Sequence, residues 1–100
     1  VEEALDDKEL LGMFYAWLGF MLYGMEELSE ANRYLLKALG IGEENGNLKV
    51  KGYASSWLCW NYAEQGRFDE AITYGEAAQK IAQSLVADHY LFFKSLFFYH

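Results

Sequence analysis

Proline is missing from the whole chain of 100 residues, so the residue that most often breaks a helix is absent. Glycine is gathered at a few candidate turns, and long helices joined by short connections follow from the two facts together. A single cysteine, Cys59, leaves no intramolecular disulfide to form. Basic residues are scarce: 8 Lys and Arg stand against 15 Asp and Glu, a formal charge of −7. Such a chain lacks the positive field that phosphate backbones attract, which sets nucleic acid aside as a partner. No apolar run is long enough to cross a membrane. The most apolar stretch of the first half, Leu10 to Tyr23, has 14 residues where a bilayer needs about 20, and it reads as a buried helix. No secretory pattern opens the chain, so a cytoplasmic setting is expected. A start at Val1 rather than Met, and an end within an apolar segment, read as a piece cut from something longer.

What is present is apolar and aromatic. Hydrophobic residues make up 53% and aromatic rings 18%, a globular composition with rings to place in one core. Glu2, Glu3, Asp6, Asp7 and Glu9 crowd the opening residues, where carboxylates favour the positive end of a helix dipole.

The chain also repeats itself. A shift of 40 residues pairs Gly12 with Gly52, Trp17 with Trp57, Leu18 with Leu58, Glu30 with Glu70, Ala31 with Ala71, Tyr34 with Tyr74, Ala38 with Ala78 and Ile41 with Ile81. These are eight identities within residues 12–42, and a fixed period of this size marks stacked supersecondary units. Apolar residues recur at helical spacing inside each copy, as in Tyr15, Leu18 and Leu22 or Leu58 and Tyr62. Turn signals fall at Gly24–Glu27, at Gly42–Asn47 and at Gln65–Arg67. The pattern predicts helices over 5–24, 28–41, 48–65, 69–84 and 88–100, an all-α chain in one domain. Repeat 1 covers 12–47, repeat 2 covers 52–84, and 88–100 is the opening helix of a third.

These residues resemble the tetratricopeptide repeat. The signature is carried by Tyr15-x-x-Leu18-Gly19-x-x-Leu22 with Ala31-x-x-x-Leu35-x-x-Ala38, and again by Leu58-Cys59-x-x-Tyr62 with Gly66-Arg-Phe-Asp-Glu-Ala71 and Ala78. Ser55 stands where the first aromatic belongs and Gly75 where a large residue belongs, and the period is 40 rather than about 34. The resemblance implies a right-handed superhelix of antiparallel helical hairpins, here of about five helices, with the surplus residues in the loop around Glu43–Asn47. It also implies a protein- or peptide-binding scaffold, in the manner of long variants attached to signalling proteins. The alternative is a self-association or intramolecular scaffold segment controlling an attached enzyme such as a nucleotide cyclase or signalling ATPase.

Catalytic chemistry finds little support. Cys59 has no activating base nearby in sequence, and His89 and His100 are too far apart to share a metal from successive helical turns. Glu26/Glu30 and Asp69/Glu70 sit where helix starts explain them, and no phosphate loop or serine elbow occurs. Neither an enzyme nor a cofactor nor a metal is expected. Small residues have a packing role instead, Gly19 and Cys59 facing Ala31 and Ala71 where two helices approach.

By the resemblance, ligands lie along the concave face of the first helix of each hairpin. Met13, Ala16, Phe20, Tyr23 and Gly24 occupy it in the first copy, and Tyr53, Ser56, Trp60, Ala63 and Glu64 in the second. Phe20 and Trp60 hold the same place in successive copies, two rings to grip an apolar or proline-bearing peptide. The lysines and asparagines that clamp a terminal carboxylate in some members are missing from this face. Trp17 and Trp57 are expected between neighbouring helices. The tail Tyr90–Tyr99 is too apolar all round for a free surface helix, so Phe92, Phe93, Phe97 and Phe98 are expected to bring copies together as a homo-oligomer.

Overall fold

The computed structural model describes the backbone of residues 2–98 and the side chains of residues 8–85. Among the described residues four helices follow one another: α1 Glu2–Gly24, α2 Leu28–Asn45, α3 Leu48–Glu64 and α4 Phe68–Phe98. No strand occurs among the described residues. α1 packs on α2 and α3 on α4 as two hairpins, and α3 also packs on both α2 and α1.

The two hairpin turns are one structure written twice. In the first, the N–H of Glu26 donates to Tyr23 O (3.0 Å) and that of Glu27 to Leu22 O (2.9 Å). Forty residues on, Gly66 donates to Ala63 O (3.0 Å) and Arg67 to Tyr62 O (2.9 Å). Both turns need a left-handed residue, Glu26 at φ 64° and Gly66 at φ 77°. Glycine adopts that conformation without a Cβ clash and glutamate does not, so the first turn carries strain that the second avoids.

Between the hairpins the chain turns more tightly than its residues suggest. The expected loop over Gly42–Asn47 is mostly helix, since α2 runs to Asn45 and the surplus residues of the period lengthen α2 rather than the loop. Gly46 at φ 61° closes α2, and the Asn47 side chain accepts from the Val50 N–H at 3.0 Å to open α3. Gly42 serves close approach instead of turning: a Cβ there would lie 2.8 Å from Lys51 Cγ and 3.0 Å from Lys51 N.

The core lies where α1, α2 and α3 meet and where α3 meets α4. Ala16, Ala38, Val50 and Ala54 are buried together, with Met13, Tyr15, Leu39 and Trp57 around them. Leu35, Leu58, Tyr62 and Ala71 form the second cluster, bordered by Cys59 and Tyr74. The repeat is visible in detail: a Cβ on Gly12 would lie 3.2 Å from Ile41 Cγ2, and one on Gly52 lies 3.2 Å from Ile81 Cγ2. Tyr34 stacks on Tyr15 (5.9 Å, 19°), and its counterpart Tyr74 stacks on Tyr62 (5.6 Å, 15°) because Ser55 stands in place of Tyr15.

One expected boundary is absent. The separate fifth helix over 88–100 does not form, since α4 continues unbroken to Phe98. The segment Ser84-Leu-Val-Ala-Asp88 has no glycine and no proline, so nothing there turns the chain. The side chains of Phe92, Phe93, Phe97 and Phe98, His89, and residues 99–100 lie outside the described residues.

Candidate functional site

The predicted binding face falls along the line where α1 and α3 lie side by side. Trp57 of α3 is its centre: it stacks on Phe20 of α1 (4.7 Å, 26°) and meets Trp17 (5.0 Å) and Tyr53 (5.4 Å) at tilted angles. Trp17 also meets Phe20 edge to face at 5.8 Å and lies 6.4 Å from Tyr53. The expected pairing of Trp17 with a neighbouring helix is therefore with Trp57 itself, although Trp17 stays half exposed. Stacked and edge-to-face rings each add about 0.5–1.5 kcal/mol beyond area burial, so the cluster helps hold α1 against α3.

The ten residues assigned to that face fall into several surroundings. Phe20 is half-buried against Trp57, Tyr53 and Trp60 are exposed, and Ser56 borders the groove between α3 and α4. Trp60 is 56% exposed and enters none of the ring contacts, so the ring beside Phe20 is Trp57 and not Trp60. Met13 packs on the edge of the first core cluster and borders a shallow surface with Glu9, Leu10 and Lys49. Ala16 requires a correction. It is fully buried among Ala38, Val50 and Ala54 and cannot touch a ligand, because α3 crosses close enough to seal that stretch of α1.

The far end of the face is acidic. The Tyr23 hydroxyl donates to Glu64 Oε1 at 3.4 Å, tying the end of α1 to the end of α3. Burial, and then the charge and hydrogen bond of Glu64, push the Tyr23 phenol above its ordinary value. Tyr23, Gly24, Glu26, Leu28 and Glu64 border a shallow recess there. Between α3 and α4, Gly52, Tyr53, Ser56, Ala78, Ile81 and Ala82 line an open groove of about 230 Å³. That is below the roughly 300–1,000 Å³ of a small-molecule pocket, and it suits one or two inserted side chains.

Under the cluster a polar pin joins the hairpins. The fully buried Asn61 side-chain amide donates to Leu28 O (2.8 Å) and to Asn32 Oδ1, and Asn32 in turn donates to Gln65 Oε1 (3.0 Å). Sequence reading passed over Asn61; its signal was a lone amide at an otherwise apolar helical position. Among the described residues no three His, Cys, Asp or Glu side chains gather as a metal site would need, and no helix is long and apolar enough to cross a membrane. No known protein family, curated protein or solved structure matches this chain.

Proposed function

We propose that this chain is a protein- or peptide-binding scaffold module of tetratricopeptide type, serving as a regulatory segment of a larger signalling protein. The observation that carries the reading is Trp60, a large ring left more than half exposed on α3, one helical turn from the Trp57 that stacks on Phe20. An indole in that position supplies apolar area at little entropic cost, which is why tryptophan dominates recognition surfaces. The acidic end at Glu64 and Glu26 favours a ligand with a basic residue flanking its apolar or proline-bearing stretch.

Selection of displayed peptides against the full chain, followed by titration of the winners, tests this. Apolar peptides with a flanking Lys or Arg are expected to emerge, and Trp60→Ala should weaken them by about tenfold or more while the melting temperature holds. Equal binding by wild type and Trp60→Ala would overturn it.

A further inference from the structure

α3 meets the preceding hairpin through Val50, Ala54, Trp57 and Asn61. Val50 rests on Gly12, where a Cβ would come within 2.9 Å of Val50 Cγ1, and Ala54 is sealed with Ala16 and Ala38. Forty positions earlier stand Leu10, Phe14, Trp17 and Met21 of α1. Spaced four, three and four apart, they form one stripe along α1, of which Trp17 also meets Trp57 and Tyr53 at its inner edge. Leu10, Phe14 and Met21 are 66%, 60% and 61% exposed. The receiving surface has an open counterpart as well: Gly12 and Ala38, which accept α3, and Ile41 against Gly12 correspond to Gly52, Ala78 and Ile81, which line the open groove between α3 and α4.

We infer that copies of this chain associate head to tail, the outer stripe of α1 of one copy lying in the α3/α4 groove of another as α3 lies on α1 and α2 within the chain. The polarity of matched positions carries the inference. Inside the chain Asn61 bonds Asn32; at the free faces the same two positions are Met21 and Ile72. The Gln65–Asn32 hydrogen bond becomes Met25 and Ile72, and Lys51 packed on Gly42 becomes Leu11 and Ala82. Each of these four polar side chains, Asn32, Lys51, Asn61 and Gln65, is exchanged for an apolar one, so two surfaces on one chain remain complementary to each other. The rings follow the same rule. Trp60 holds the place of Phe20, and Trp17 of the second copy would reach it as Trp57 reaches Phe20.

Both halves of this interface belong to the same chain, which makes a second copy the occupant. The contact is heterologous, so each copy can take a further one and assembly grows with concentration. It rests on the stacking of the two hairpins and not on peptide capture by Trp60.

Sedimentation velocity over a concentration series of the full chain tests it. The weight-average mass should climb with concentration for the wild type. Met21→Glu and Ile72→Glu each place a carboxylate in the apolar contact, and each alone should weaken association by about tenfold or more with helicity and melting temperature unchanged. Mixed in equal amounts, the two variants should form a one-to-one dimer and nothing larger, because one keeps the groove and the other keeps the stripe. A monomer at every concentration, association lost in only one variant, or a mixture that stays monomeric would overturn the proposal. Peptide titration of the same variants separates the two readings, since neither substitution touches Trp60.

Discussion

A Cβ placed on Gly75 would lie 3.0 Å from Cys59 Sγ, and in the first hairpin the same two positions are Leu35 and Gly19 with the sizes reversed. A Cβ on Gly19 would come within 2.6 Å of Leu35 Cγ. Each hairpin thus fills one slot with one bulky and one small residue. The bulky residue sits on the second helix in hairpin one and on the first helix in hairpin two. The apparent misfit of Gly75 is the complement of Cys59.

The slot can be re-cut. Gly75→Leu alone, like Cys59→Leu, should cost about 1–3 kcal/mol by overpacking, and Cys59→Ala should cost less. Combining Gly75→Leu with Cys59→Gly copies the first hairpin and should recover much of that loss, a coupling of about 0.5–3 kcal/mol. Chemical denaturation of wild type, Gly75→Leu, Cys59→Gly and the double variant measures it, and strict additivity would remove the packing assignment.

Asn61 and Asn32 behave as a unit. Asn61→Ala strands the Asn32 side-chain oxygen and removes a second donor from the Leu28 carbonyl at the hairpin junction, and should cost about 1–3 kcal/mol. Exchanging both asparagines together, Asn61→Met with Asn32→Ile, copies the pair found at the free faces and should lose less than Asn61→Ala alone, since two apolar partners leave fewer groups unsatisfied. Thermal melts of the single and double variants decide the point.

Alkaline stability should depend on Tyr62. Burial first, then the nearby Tyr74 and Glu70, raise its phenol above the ordinary 10.0, while Arg67 pulls the other way. The folded state therefore prefers the neutral phenol. The stability this gives is complete below pH 10 and is lost as the pH climbs through the raised native value. Wild type should lose more melting temperature than Tyr62→Phe on that climb, and parallel losses would show that the phenol has no such role.

Much of this architecture could be read from residue spacing. The 40-residue shift located both hairpins, and Gly66 and Gly46 announced turns that only a left-handed residue can make. Gly42 misled because a glycine that admits Lys51 looks the same in sequence as one that turns the chain. The end of α4 misled for the opposite reason, repetition implying a break that no residue between Ser84 and Asp88 can make. Ala16 was placed on the open face because its burial depends on how closely α3 crosses α1, a distance that spacing along one helix does not contain. The outer stripe of α1 was hidden in plain composition: α1 is apolar nearly all round, and only the contacts of α3 reveal which side lacks a partner.

Equivalence of the two hairpins underlies the binding face, the size exchange at Cys59 and Gly75, and the head-to-tail contact alike. Nuclear Overhauser spectra tuned to methyl groups test it most directly. Cross-peaks from the Gly12 Hα protons to the Ile41 methyls and from the Gly52 Hα protons to the Ile81 methyls should both appear at similar intensity. One present without the other would mean that the two halves of the chain pack differently.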